Sequence, residues 1–166
     1  MDYFQGVVTE YLRCDRSVFV NTECRIELDD DDSRTQGRHW YCDVMACCQS
    51  EKTIYLCEVT YASDLKALVK RLCAWQSHWS LLKEVIIRDC GFNKSWQIEP
   101  WAFIPQKKLG DLKKKFLPRM RSDNDDKSMP IPYFTPLESV CPWNYEASKL
   151  KISDQRERLD LIEAAG

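Results

Sequence analysis

The sequence predicts an α/β fold in which a mixed sheet of about four or more strands is flanked by helices. Apolar residues recur at helical spacing near the N-terminus and again in the middle of the chain. Between these two segments, β-branched and aromatic residues alternate with polar turns. These patterns predict a helix at residues 3–13 and strands at 17–28, 39–48 and 53–61.

The three predicted strands follow one another through local turns, which indicates an antiparallel meander. Residues 29–38 contain four consecutive aspartates and form the predicted connection between the first two strands. Ser63 is the predicted N-cap of the next helix, because Asp64 then lies in the first helical turn. Residues 81–88 either continue this helix or begin a second one.

The second half of the chain completes the predicted fold. Residues 96–104 form a fourth strand, which becomes parallel to the preceding strand because a helix connects them. We expect a single domain over residues 1–166, with a core at about 3–116. Five prolines favour an extended, wrapping segment at 117–143, and a charged helix is predicted at 153–164.

Two acidic residues lie inside the apolar predicted strands. Alternate residues of a strand share a face, so Asp43 is expected beside Met45, and Glu58 beside Leu56. A hairpin through the polar turn at residues 49–52 brings the two acids together. Converging carboxylates repel each other, and a divalent cation relieves that repulsion.

A cation at this position suits phosphodiester hydrolysis, because it activates water and neutralises charge on phosphate oxygens. Glu10, near the end of the first helix, is a predicted third ligand, and the main-chain carbonyl of Val59 is a fourth. A charge within an apolar strand requires a partner, which favours a functional site at Asp43 and Glu58. For Glu10, a solvated surface acid is the open alternative.

The order helix, three-stranded meander, helix, strand over residues 3–104 resembles the PD-(D/E)xK nuclease superfamily, which has a restriction-endonuclease-like core. Asp43 on the second strand and Glu58-Val59-Thr60 on the third carry this resemblance. It implies that Asp43 and Glu58 bind Mg²⁺, and Glu10 matches a glutamate that recurs on the family's first helix.

Thr60 stands where the family has the lysine that orients the attacking water. The resemblance therefore implies an altered catalytic set of Asp43, Glu58, Thr60 and Lys66, with Lys66 or Lys70 reaching back from the following helix. It implies one of two functions. The chain is either a Mg²⁺-dependent nuclease acting on DNA or a catalytically inactive module that binds nucleic acid or a protein partner.

The net charge of −2 hides a strongly basic segment at residues 107–121, which carries seven basic residues and one acid. Such a local field attracts polyanions such as DNA or another nucleic acid. A solvated helix face is the equally open alternative. The predicted nucleic-acid-binding residues are Lys107, Lys108, Lys113, Lys114 and Lys115.

Nine cysteines and no evident export signal predict free thiols in a reducing compartment, so we expect a cytoplasmic protein. No apolar run approaches the roughly 20 residues that cross a bilayer. Buried thiols are favoured over a zinc site, because the chain lacks a Cys-x2-Cys pair. A Cys–His nucleophile pair that uses His39 or His78 stays open, as does a homodimer.

Overall fold

The computed structural model describes residues 2–28, 39–120, 125 and 127–163. It confirms the predicted α/β class: helices flank a six-stranded mixed sheet. The connection predicted at 29–38 lies outside the described residues. The helices of the described part are α1 (Tyr3–Arg13), α2 (Lys66–Ser77), α3 (Trp79–Cys90) and α4 (Leu109–Phe116). Its strands are β1 (Val18–Glu27), β2 (His39–Cys48), β3 (Thr53–Val59), β4 (Gln97–Ile104), β5 (Tyr133–Pro136) and β6 (Glu157–Arg158).

The six strands lie in the sheet in chain order. Strands β1, β2 and β3 pair antiparallel, β3, β4 and β5 pair parallel, and β6 pairs antiparallel to β5. The predicted meander and the predicted parallel fourth strand are therefore confirmed. Because β3 and β4 run in the same direction, their carboxyl ends and the loops that follow them meet at one edge of the sheet.

Apolar residues cover both faces of the sheet. One buried cluster joins the sheet to α2, α3 and α4 and includes Leu72, Trp75 and Phe116. The second joins the opposite face to α1 and the C-terminal segment and includes Tyr11 and Trp101. The sheet is thus sandwiched, which is why β3 is buried along its whole length.

One helix boundary differs from its prediction, and another decides between the two alternatives left open for residues 81–88. Helix α2 begins at Lys66, with the buried Leu65 before it, so the predicted N-cap Ser63 is wrong. Asp64 Oδ1 instead accepts a hydrogen bond from the Lys66 N–H at 3.1 Å. Residue His78 has φ of −123°, outside the helical range, and separates α2 from α3. The segment 81–88 therefore belongs to a second helix.

The C-terminal helix predicted at 153–164 is wrong. A short 3-10 turn, Ile152–Gln155, leads into strand β6, and residues 160–163 continue without a helix. The predicted wrapping segment 117–143 contains strand β5, which the proline content concealed. Both strands form because tertiary pairing at the sheet edge outweighs local propensity.

Two arginines hold the C-terminal segment against the sheet. Arg156 lies over the rings of Tyr55 and Tyr133, 4.7 Å from each centroid, and its Nη2 is 3.0 Å from Glu51 Oε2. The side chain of Arg158 lies 3.8 Å from the Tyr133 centroid, and its Nη1 donates to Glu99 Oε2 at 2.5 Å. Cation–π contacts and ion pairs thus replace the helical packing that the sequence predicted.

The regular alternation of strands β1 and β2 is interrupted beside Asp43. Glu23, which lies between the paired positions Thr22 and Cys24 and opposite Asp43, has a positive φ of 52°. Beyond this irregularity Cys42 joins the same apolar cluster as Met45, although regular alternation places them on opposite faces. Regular alternation therefore does not determine the face of the sheet on which Asp43 lies. The contacts of the Asp43 side chain define its position instead.

Candidate functional site

Asp43 lies where strands β2 and β3 stop pairing. The ladder ends with Val44 opposite Cys57. Asp43 Oδ2 then accepts a hydrogen bond from the main-chain N–H of Val59 at 2.9 Å. This contact satisfies a buried donor that strand pairing leaves open. The backbone of β3 therefore holds the carboxylate at the carboxyl end of the strand.

A second contact positions Asp43 from helix α1. Gln5 Nε2 donates to Asp43 Oδ1 at 2.9 Å. Gln5 also belongs to the capping box of α1: its N–H donates to Asp2 Oδ1 at 2.8 Å, and its Oε1 accepts from the Asp2 N–H at 3.3 Å. The capping box fixes the Gln5 amide, so the start of α1 orients the acid.

Glu58 and Arg71 form an ion pair beside Asp43. The Glu58 side chain is 4% exposed, and its Oε2 accepts a hydrogen bond from Arg71 Nη1 at 2.5 Å. The same Nη1 lies 3.8 Å from Asp43 Oδ1. Arg71 comes from α2 and its side chain is 39% exposed, so one guanidinium links both acids to the surface.

The environment of Glu58 disfavours its charged form. Burial raises the pKa of Glu58 well above its ordinary value, the charge of Asp43 raises it further, and Arg71 opposes both effects. Its second oxygen, Oε1, is buried and has no hydrogen-bond partner among the described residues. A proton on Glu58 or an additional cation at Oε1 would relieve this cost.

The structure brings together Asp43 and Glu58, as predicted, but it leaves Glu10 outside their contacts. The Glu10 side chain is 69% exposed, and its Oε1 accepts from Arg13 Nη1 at 3.0 Å. From helix α1, it is Gln5 that reaches Asp43. The solvated-surface interpretation therefore fits Glu10 in this structure.

The other predicted catalytic residues make different contacts. Thr60 Oγ1 accepts a hydrogen bond from the Ala62 N–H at 3.1 Å, within the loop that follows β3. Lys66 is exposed at the start of α2, and within the described part of the chain no ion pair joins it to either acid. Val59 contributes its N–H to Asp43, and its carbonyl as a metal ligand stays a prediction.

Gln5 and Arg71 are the site residues that sequence reasoning missed. A signal for Arg71 was present: it lies three residues after Leu68 and four before Trp75, which are both buried in the apolar stripe of α2. A basic residue at that spacing points towards the sheet and requires an acidic partner. For Gln5, the spacing from Asp2 indicates a capping box but says nothing about Asp43.

The predicted nucleic-acid-binding lysines divide into engaged and exposed side chains. The Nζ atoms of Lys108 and Lys113 donate to the main-chain carbonyls of Ser63 and Ile162, respectively. The ammonium of Lys115 pairs with Asp111 at 3.1 Å. Exposed side chains without an ion pair in the described residues are those of Lys107 and Lys114.

The carboxylate oxygens of the acid pair are donor atoms of the type that Mg²⁺ prefers. Mg²⁺ is usually held by one or two carboxylates while it keeps several waters, and Glu58 Oε1 is an oxygen without a partner. Among the described residues, no group of three or more His, Cys, Asp or Glu side chains is arranged to hold a metal. Arg71 is the competing cation, because its guanidinium already contacts both carboxylates.

Two thiols, those of Cys42 and Cys57, directly precede the two acids in their strands, whereas His78 follows α2. All nine cysteines are free, and burial raises the pKa of Cys42 and Cys57 well above the ordinary thiol value. His78 packs edge-on against Trp40 with centroids 5.3 Å apart, and its Nδ1 lies 3.2 Å from the Ala74 carbonyl oxygen. The side chain of His39 lies outside the described residues, so the Cys–His pair stays a prediction.

No family model, no curated protein and no solved structure matches this chain. None of the helices in the described residues is long and apolar enough to cross a membrane. The fold and the site therefore define the class by themselves: an α/β protein that holds a buried glutamate and a half-buried aspartate together at the carboxyl edge of its sheet.

Proposed function

We propose that this chain is a PD-(D/E)xK nuclease-like protein with a restriction-endonuclease-like core, which hydrolyses phosphodiester bonds of DNA in the presence of Mg²⁺. One observation carries the proposal. Asp43 and Glu58, which come from β2 and β3, converge where β3 ends, with Arg71 Nη1 at 3.8 Å and 2.5 Å from them. The strand order and the parallel pairing of β3 with β4 support it.

In this proposal Asp43, Glu58 and the main-chain carbonyl of Val59 hold Mg²⁺. When bound, the ion would supply an activated water and neutralise charge on the phosphate. Arg71 takes the place of the missing lysine at Thr60. Its guanidinium supplies the positive charge that Thr60 lacks and stabilises negative charge on the phosphate.

A second candidate is a catalytically inactive module that keeps the fold in order to bind nucleic acid or a protein. The specific observation in its favour is the 2.5 Å contact of Arg71 Nη1 with Glu58 Oε2. That ion pair gives the buried acid a counter-charge without a metal, so Arg71 and Glu58 can have a structural role in the absence of catalysis. Thr60, whose Oγ1 accepts from Ala62, also lacks the positive charge of the family lysine.

The same proposal places the protein in the cytoplasm, in keeping with its nine free thiols. It assigns phosphate contacts to the basic segment, chiefly through Lys107 and Lys114, whose side chains are exposed. The homodimer stays open.

Calorimetric titration of Mg²⁺ and Mn²⁺ into the protein tests the metal site. We expect binding to the wild type and its loss in Asp43→Asn and Glu58→Gln. Glu99→Gln is the matched control, because Glu99 also forms a 2.5 Å bond with an arginine, at the opposite end of the sheet. Arg71→Met should bind the cation more tightly, since it removes the competing charge.

Incubation with plasmid, linear duplex and single-stranded DNA tests catalysis. We expect Mg²⁺-dependent cleavage that Glu58→Gln and Arg71→Met abolish and Glu99→Gln retains. Cleavage retained by Glu58→Gln assigns the activity to a contaminant or another site. If the wild type shows no metal binding and no cleavage, the enzymatic proposal is overturned in favour of the inactive module.

A further inference from the structure

Three aromatic side chains form an exposed stack. None of the three belongs to the buried residues of the two apolar clusters. The rings of Phe4 and Tyr61 are stacked, with centroids 4.6 Å apart and an interplanar angle of 10°. Tyr3 meets Phe4 edge-on at 5.1 Å. Tyr3 is 70% exposed and Tyr61 is 56% exposed, whereas Phe4 is half-buried. The two tyrosines therefore present ring surface to solvent on a fixed aromatic base.

This aromatic stack lies beside the acid pair. Phe4 precedes Gln5, whose amide binds Asp43. Tyr61 follows Glu58 by three residues, so their Cα atoms are at most about 11 Å apart. The stack thus joins the start of α1, which binds Asp43 through Gln5, to the loop that directly follows Val59, whose N–H also binds Asp43.

Positive charge borders the same loop. Lys108 Nζ donates to the Ser63 carbonyl, two residues after Tyr61. Lys66 and Lys107 are exposed nearby, at the start of α2 and just after β4. Two exposed acids lie on the same elements: Asp2, next to Tyr3, and Asp64, whose Oδ1 accepts the Lys66 N–H at 3.1 Å. The three lysines outnumber these two acids, and Arg71 offsets the charge of the acid pair, a balance that suits an anionic ligand.

Exposed aromatic rings beside lysines match the chemistry of one class of ligand. Proteins that bind single-stranded nucleic acid stack bases on aromatic side chains and hold the phosphates with basic ones. A paired base inside a duplex has no free face to offer. The other exposed aromatic rings of the described residues, those of Phe19, Tyr41 and Trp143, lie on other elements.

We propose that the stack of Tyr3, Phe4 and Tyr61 binds an unpaired nucleobase next to the acid pair. The preferred ligand is single-stranded nucleic acid or a duplex end with unpaired bases. This inference rests on the nucleic-acid part of the proposed function and names its substrate class. Stacking on a ring face is tolerant of base identity, so no sequence preference is expected.

Fluorescence anisotropy with a labelled single-stranded oligonucleotide, and with a duplex of equal length, tests the inference. Chelator in the buffer prevents cleavage, so binding is measured separately from catalysis. We expect tighter binding of the single strand by the wild type. Tyr61→Leu and Tyr3→Leu should each weaken it about 10-fold, whereas Tyr61→Trp should restore it. Trp143→Leu and Phe19→Leu, which remove exposed rings elsewhere, are the matched controls.

The outcomes separate this inference from the proposed enzyme. Equal affinity of wild type and Tyr61→Leu for the single strand, or equal affinity of the wild type for single strand and duplex, overturns it even if the protein cleaves DNA. Selective loss in the tyrosine variants supports it even if Mg²⁺ has no effect. Thermal unfolding tests whether the stack only stabilises the fold. In that case Tyr61→Leu lowers the melting temperature and Tyr61→Trp does not rescue binding. That result also overturns the inference.

Discussion

Asp43 Oδ2 lies 2.9 Å from the main-chain nitrogen of Val59, so a side chain of β2 completes the hydrogen bonding of β3 where the two strands separate. A carboxylate in this position has a structural role before any catalytic one. Its removal leaves a buried N–H without a partner, and the effect of a substitution at Asp43 on activity must be judged against that loss.

We expect Asp43→Ala to lower the free energy of unfolding by about 1–3 kcal/mol, because the Val59 N–H and the Gln5 amide both lose an acceptor. Urea unfolding measures the change. Asp111→Ala is the control, since it removes only an exposed ion pair with Lys115 and should cost about 0.5 kcal/mol or less. Equal effects of the two substitutions would contradict the assigned contact.

Arg71→Met should destabilise the fold by about 1–2 kcal/mol. Loss of one partner leaves Glu58 buried without its cation, and the partial exposure of Arg71 limits the cost. The double variant Arg71→Met with Glu58→Gln should recover most of the loss, because the neutral amide no longer needs a counter-charge. A double-mutant cycle measures this coupling, and additive effects would show that the two side chains act independently.

Glu58 predicts a specific dependence of stability on pH. Its pKa in the folded protein lies above the ordinary value of 4.5, so the folded state binds this proton more tightly than the unfolded state. The stabilisation that comes from this tighter proton binding is fully present below pH 4.5, and it is lost as the pH rises through the raised pKa of Glu58. In metal-free buffer, the stability of the wild type relative to Glu58→Gln should therefore fall over the interval in which the pH rises from 4.5 through the raised pKa. A difference that stays constant over this interval argues against the raised pKa.

Arg158→Met should destabilise the protein by about 1–3 kcal/mol, because Glu99 loses a 2.5 Å partner and Tyr133 loses a cation over its ring. Differential scanning calorimetry measures the effect. The reference is Lys149→Met, whose exposed pair with Glu146 should contribute almost nothing. If the two variants melt alike, β6 is not held by this contact.

The meeting of Asp43 and Glu58 could be predicted because both lie in one hairpin with a four-residue turn. Local pairing sets their distance, and the paired register from Val44–Cys57 to Cys48–Thr53 agrees with it. The parallel placement of β4 followed in the same way from its helical connection. The spacing of Arg71 from Leu68 and Trp75 indicates an acidic partner but not which acid it is. Gln5 could not be assigned to the site, since that requires the packing angle of α1 on the sheet.

The C-terminal strands escaped prediction for a different reason. β5 is four residues long and ends in a proline, and β6 has two residues, so neither has a periodic pattern of its own. The charged residues between 153 and 164 favoured a helix by composition. Their side chains find their partners only when residues far away in sequence are in place.

The contact of Arg156 with Glu51 joins positions 105 residues apart. A sheet closed by such a contact forms late. Until residues 156–158 have left the ribosome, the aromatic surface around Tyr55 and Tyr133 lacks the cover that Arg156 and Arg158 provide. The nascent chain therefore exposes this surface, and needs protection from aggregation, until these arginines have been made.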